Sequence, residues 1–167
     1  DRAVTPYDFE DQALDIEGVA KAKGEETFDY ANTFNLYIVP DDFVLPDSGL
    51  KDTVKTELQE VMLTNTNLVV KDPDYKDFNI DVDLVVLENF ITQNVADDVE
   101  ATLNETFKIA NMEFGEKIKV MDIVGIARDV SGVQNVTVDH GDITCEDLEI
   151  LRLQNVNVDA TGGAEIG

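Results

Sequence analysis

One pattern occurs twice in this chain and limits what it can fold into. Residues 8–22 read DFEDQALDIEGVAKA and residues 122–136 read DIVGIARDVSGVQNV. Asp8/Asp122, Phe9/Ile123, Ala13/Ala127, Asp15/Asp129, Gly18/Gly132 and Val19/Val133 fall at the same offsets. Thr5 is suited to an N-cap and Pro6 to the first helical position, where a missing N–H costs nothing. Asp8, three residues after Thr5, completes a weak capping box and suits the positive helix end. Val4 and Phe9 occupy the two positions of a hydrophobic staple. Gly18 and Gly132 stand where a helix ends in a left-handed residue, and the following Val packs back on the last turn. Each copy therefore predicts a helix of about three turns, a Gly stop and a strand. Helix–Gly–Val–strand is also common in α+β proteins at large, so the motif alone names no function.

The rest of the chain supplies partners for these two units. Residues 19–23 and 33–39 read as a hairpin, with Phe34, Leu36 and Ile38 alternating against Asn35, Tyr37 and Val39. Their connection, 24–32, is polar and longer than a tight turn. Residues 40–47 read as a loop with two prolines. Leu50, Val54, Leu58 and Val61 form the apolar stripe of a helix, residues 65–67 end it, and 68–70 make a short strand. Asp72-Pro73-Asp74 is a turn and a boundary candidate. Phe78, Ile80, Val82, Leu84 and Val86 then alternate along one strand, turning Asn79, Asp81 and Asp83 to water. Val95, Val99, Leu103 and Phe107 mark a third long helix. Phe114-Gly115-Glu116 turns into a short strand at 117–120, and the second helix–Gly–Val unit follows. Val136 and Val138 continue its strand, His140-Gly141-Asp142 turns, and 148–158 give one bent strand or two short ones. The tail from Thr161 is expected to be loose.

The fold class expected is α+β: two small related modules, each a short mixed or antiparallel sheet packed with two helices. The boundary is set at 1–73 and 74–167, the second module carrying a flexible C-terminal tail. One continuous domain is the alternative.

Charge narrows the function. Asp and Glu outnumber Lys and Arg 36 to 12, a net charge of −24. Phosphate backbones and anionic membrane surfaces would be repelled, so neither nucleic acid nor membrane is expected as a partner. High-salt adaptation, a basic protein partner and plain solubility would each explain such acidity. Lys exceeds Arg, which fits poorly with an extreme halophile, and the acids are spread too evenly for a DNA mimic. No apolar run approaches a membrane span, and no signal-peptide pattern is present. The single Cys145 rules out an internal disulfide framework, and a reducing cytoplasm is the simplest origin. The chain starts at Asp1 inside a capped-helix motif and is expected to be part of something longer.

Candidate chemistry is sparse. Asp41-Asp42, Asp72 with Asp74, Asp97-Asp98 and Asp139 with Asp142 have the oxygens to ligate a hard cation. None sits in a calcium-loop pattern, and with this many acids chance pairs are expected. His140 and Cys145 lie near Asp139 and Asp142, but a transition-metal site needs three or four suitable ligands. The same pair lacks an orienting group and an oxyanion site for nucleophilic catalysis. Gly162 and Gly163 do not link a strand to a helix and are no phosphate loop. Glycosidase-type carboxylates pair in space, which sequence leaves open. No catalytic, cofactor-binding or metal residue is assigned, and the chain is not expected to be an enzyme.

The motifs together resemble the conserved C-terminal region of baseplate J-like proteins, the baseplate wedge proteins of contractile phage tails and related injection systems. Arg2-Ala3-Val4-Thr5-Pro6, Asp8-Phe9-Glu10 and Gly18-Val19-Ala20-Lys21-Ala22 look like its opening. A strand ending in Val39-Pro40, the helix at 50–62 and the strand at 78–84 follow in the family's order. Phe114-Gly115, the segment from Asp122-Ile123 to Gly132-Val133, and Leu151-Arg152-Leu153 complete it. The order holds over nearly the whole chain, though the chain lacks the Trp that many relatives carry near the Gly-bearing turn. The resemblance implies a structural component of a baseplate wedge, with no substrate and no cofactor. It would link neighbouring wedge subunits, hub and sheath, and take part in the contraction trigger. Implied partners are other wedge, hub and sheath-initiating proteins and copies of itself in a ring. Implied location is the virion's tail baseplate, assembled in the host cytoplasm, with further β-rich modules N-terminal to this region. An acidic adaptor for a basic protein partner is the alternative, and a metal-dependent or carboxylate enzyme the third.

Overall fold

The structure, a computed structural model, describes residues 6–26, 33–62 and 66–165. Thr5 and Val4, expected to cap and staple the first helix, lie outside them, as does most of the 24–32 connection. The chain divides into two compact units, Asp1–Asp74 and Tyr75–Gly167. Each holds a three-stranded mixed sheet and two helices, so the chain has the α+β class with two similar modules.

The first unit runs α1 (Pro6–Leu14), β1 (Val19–Glu26), β2 (Thr33–Pro40), α2 (Ser48–Gln59) and β3 (Asn67–Lys71). Central β2 pairs antiparallel with β1 and parallel with β3. Strand β1 runs past the expected end at Lys23, because pairing continues to Glu26↔Phe34. Phe9, Ala13, Ile16, Leu36, Ile38, Val54, Leu58 and Leu68 form the core, with Phe9 edge-on to Phe34 at 5.1 Å. The alternation expected along β2 holds only in part. Val39 and Asn35 are buried too, and Asn35 Nδ2 donates to Glu25 Oε1 at 3.1 Å. The α2 stripe is as expected, with Asp47 capping the helix through the Leu50 N–H at 2.7 Å. Val61 packs on the core from the turn just past the helix.

The second unit runs β4 (Asp74–Ile91), which begins at the unit boundary, then α3 (Thr92–Phe107) and a 3-10 turn (Ile109–Asn111). Helix α4 (Val120–Arg128), β5 (Val133–Val138) and β6 (Glu149–Ala164) complete it. Central β4 pairs antiparallel with β5. On its other side, bonds climb in step from Asn79 with Asn155, through Asp81 with Asn157, to Leu84 with Thr161. Strands β4 and β6 therefore run in the same direction. Phe78, Ile80, Val82, Leu84 and Val86 are buried along one face of β4, and Val95, Val99, Leu103, Phe107, Ile123 and Ala127 are buried on the helices.

Two local expectations are corrected and one open alternative is decided. Residues 117–120 form no strand: Ile118 makes a single bridge to Ile143, and Val120 already opens α4. Of the two alternatives for 148–158, one strand is found, starting at Glu149. The tail from Thr161 is not loose as far as Ala164, because β6 includes it. Gly162 and Gly163 take φ of 77° and 64° there. A Cβ at Gly162 would lie 2.7 Å from the Val86 carbonyl oxygen, and one at Gly163 2.6 Å from Thr92 Oγ1. At these two positions, which read as a flexible end, a side chain would collide with its neighbours and glycine fits.

Candidate functional site

In the second unit both helices lie on one face of the sheet, and the side chains that alternate outward from β4 are left largely in water. They change character along the strand. At the start, Asp77 receives Arg152 Nε at 2.7 Å and Nη2 at 3.2 Å, with Gln154 Nε2 at 3.2 Å. The Arg152 guanidinium stacks over the Tyr75 ring at 4.4 Å, and the charge-assisted bond to Asp77 raises its pKa further.

Carboxylates crowd the middle. The Asp139 N–H donates to the Asp81 carbonyl at 3.0 Å, carrying β5's last pairing one residue further. This sets the Asp139 side chain in hydrogen-bond contact with Asp83. That bond, followed by desolvation and the charges of Asp139 and Asp81, raises the pKa of Asp83. From β6, Asn157 Nδ2 donates to Asp81 Oδ1 at 2.7 Å. Asp81, Val82, Asp83, Asp139, Asn157, Val158 and Asp159 line an open depression of about 390 Å³. At the far end three of the four outward positions are apolar, Val85, Leu87 and Ile91, each 37–38% exposed, and the fourth is exposed Asn89.

The acid pairs considered from sequence do not converge. Asp42 accepts the Val44 N–H at 3.4 Å within its own loop. Asp72 pairs with Lys51 at 2.6 Å. Asp97 accepts from Gln93 at 2.8 Å on the exposed side of α3. Asp139 and Asp142 part company: the first joins Asp83, while Asp142 Oδ1 accepts the Val120 N–H at 2.8 Å. Asp142 thereby satisfies the opening N–H of α4 and places its charge at the positive helix end. His140 and Cys145 also go to different partners. The His140 Nδ1 lies 2.8 Å from the Gly141 carbonyl, and buried Cys145 Sγ donates to the Glu116 carbonyl at 3.2 Å. Among the described residues, no three or more His, Cys, Asp or Glu side chains are grouped to hold a metal ion. No described helix is long and apolar enough to cross a membrane. Sequence reading turned Asp81 and Asp83 outward but missed their meeting with Asp139. Period-two alternation gives the face of a strand, not its neighbour.

Neither a protein-family model nor a curated protein sequence matches this chain. Its fold does have solved counterparts. A chain of the anti-feeding prophage baseplate, determined by cryo-EM with six-fold symmetrisation, aligns over 92% of this chain with a TM-score of 0.66. The likeness is one of fold. Sequence identity is 13%, and the aligned part is 38% of that longer chain.

Proposed function

We propose that this chain is a structural component of a contractile-tail baseplate, acting in the wedge. The fold match to the prophage baseplate chain carries this reading. It agrees with the sequence resemblance to wedge proteins, which spans the same stretch of chain and was read from different features. In this role the chain has no substrate. Two small, well-packed modules link neighbouring wedge subunits to hub and sheath and shift with them at contraction. Copies of the chain sit around the tail axis, joined by repeated interfaces that close into a ring. The assembled location is the virion or injection particle, built in the host cytoplasm.

Deletion of the gene from a producing strain tests this. The expected result is loss of assembled contractile particles, seen by negative-stain microscopy, with restoration by the full-length chain. Deleted strains that still build intact baseplates would overturn the reading. The acid-lined outer face of the second sheet favours a second reading, an adaptor that grips a basic protein outside any tail. Intact particles together with a stable basic partner would support it.

A further inference from the structure

We propose that the outward face of β4, with its flanks on β5 and β6, is a docking surface for a partner helix that is basic along one half and apolar along the other. The inference names a surface and a partner chemistry, and it stands or falls separately from the baseplate reading.

The sheet of the second unit buries one face of β4 and leaves the other to solvent. On the bare side, Val85, Leu87 and Ile91 stand at 37–38% exposure, with exposed Asn89 between the last two. Strand spacing puts about 20 Å between the first and last of them. A helix rising about 1.5 Å per residue covers that length in roughly 13 residues. Beside Val85, β6 offers Gly162, which has no side chain to shield it.

The charge on this face fixes the chemistry of the other half. Beyond Val85 the row continues into Asp83 and Asp81, with Asp139 and Asp159 beside them, and no Lys or Arg lines the depression they form. Arg152, farther along the row, is committed to Asp77. Carboxylates held this close in a chain of net charge −24 repel one another. Ammonium or guanidinium groups from a partner relieve that repulsion, while apolar side chains on the same helix cover Val85, Leu87 and Ile91. The acid then sets orientation and on-rate, and the apolar row sets residence time.

The test is a two-dimensional NMR titration of the chain with a synthetic amphipathic helix bearing Lys along one half and Leu along the other. Shift changes are expected on 81–91, 133–139 and 155–162, with affinity falling as salt is raised. Val85→Thr with Leu87→Thr should weaken binding by about tenfold, the loss expected for uncovering part of two apolar side chains. Asp81→Asn with Asp83→Asn should weaken it and flatten the salt dependence. Met121→Ser, on exposed α4, should leave it unchanged. Peptides with Glu for Lys, or Ser for Leu, test the same point on unmodified protein, and neither should bind. Shift changes spread over acidic surfaces of both units, centred on α2 near Asp52 and Glu57, or absent altogether would each overturn the proposal.

Discussion

The Gly132 carbonyl accepts the Leu87 N–H at 2.9 Å, and this bond has a counterpart in the first unit, where the Gly18 carbonyl accepts the Asp41 N–H at 3.0 Å. The correspondence extends outward from the glycines. Helix α1 maps on α4 with nine residues each, and Phe9 and Ala13 are buried as Ile123 and Ala127 are. Both glycines have positive φ, 97° and 93°. Pairing slips between Val19 and Lys21 in one unit and next to Val133 in the other, a bulge at the same place after the glycine. Leu50, Val54 and Leu58 on α2 correspond to Val95, Val99 and Leu103 on α3. The blocks are exchanged in order: the first unit runs helix–Gly–strand then strand–helix, the second strand–helix then helix–Gly–strand. In each, a last strand runs parallel beside the central one.

The two glycines should differ in what a methyl group costs. At Gly18 an added Cβ meets only Leu50 Cδ1 at 3.2 Å, the end of a flexible side chain. Gly18→Ala should therefore destabilise by about 1 kcal/mol, the backbone strain alone. At Gly132 the same Cβ lies 2.7 Å from the Phe90 ring and from Val95 Cγ2. Overpacking adds about 1–3 kcal/mol, so Gly132→Ala should lose about 2–4 kcal/mol in urea melts. Equal losses would show that the shared φ, and not the packing, controls both sites.

Asp83 should make stability fall as pH rises from the ordinary carboxylate range. Its folded pKa is raised, chiefly by the hydrogen bond with Asp139. The folded state then holds a proton that the unfolded chain gives up sooner. The contribution is fully present below the unfolded pKa and is lost as pH rises through the folded one. Asp83→Asn removes this dependence, so the variant should gain on the parent as pH climbs through that window. Thermal melts across an acid-to-neutral series check it. A variant that parallels the parent at every pH would show that the two carboxyls do not communicate.

Cys145 should react slowly with iodoacetamide while the chain is folded. Burial raises its pKa most, followed by the charge of Glu149, so little thiolate forms at neutral pH. Alkylation monitored by intact mass should speed up in step with unfolding by urea. Rapid modification of the native chain would mean that the 143–149 segment opens locally.

Much of this fold could be read from residues because the signals were local. The glycine stops, the α2 and α3 stripes and the alternation of Phe78 to Val86 each depend on a few neighbours in sequence. What was missed depends on distant strands. Gly162 and Gly163 look like a loose tail until β4 lies against them. The segment 117–120 has strand-like residues, but Asp142 claims the Val120 N–H and a helix starts there instead. The meeting of Asp83 with Asp139 needed the β4–β5 register, which no local pattern carries. The candidate site was accordingly the least legible part of the chain, although the outward turn of Asp81 and Asp83 was plain.

The isolated chain should become more stable as salt is added. With a net charge of −24, carboxylates outnumber cationic side chains 36 to 12, and repulsion among them dominates. The Debye length shrinks from about 10 Å at ~0.1 M to about 3 Å at ~1 M, which removes most of that repulsion. Salt also screens attractive pairs such as Lys51–Asp72, Lys108–Glu105 and Arg152–Asp77. Those are partly exposed and contribute about 0–1 kcal/mol each, too little to offset so large an excess of one sign. Melting temperature in sodium chloride should therefore rise steadily and level off once screening is complete. Association with a basic partner should show the opposite trend, because the same screening weakens attraction between unlike charges. Measuring both series in one buffer separates the two effects. A melting temperature that falls with salt would mean that local ion pairs, and not the net charge, govern the stability of this chain.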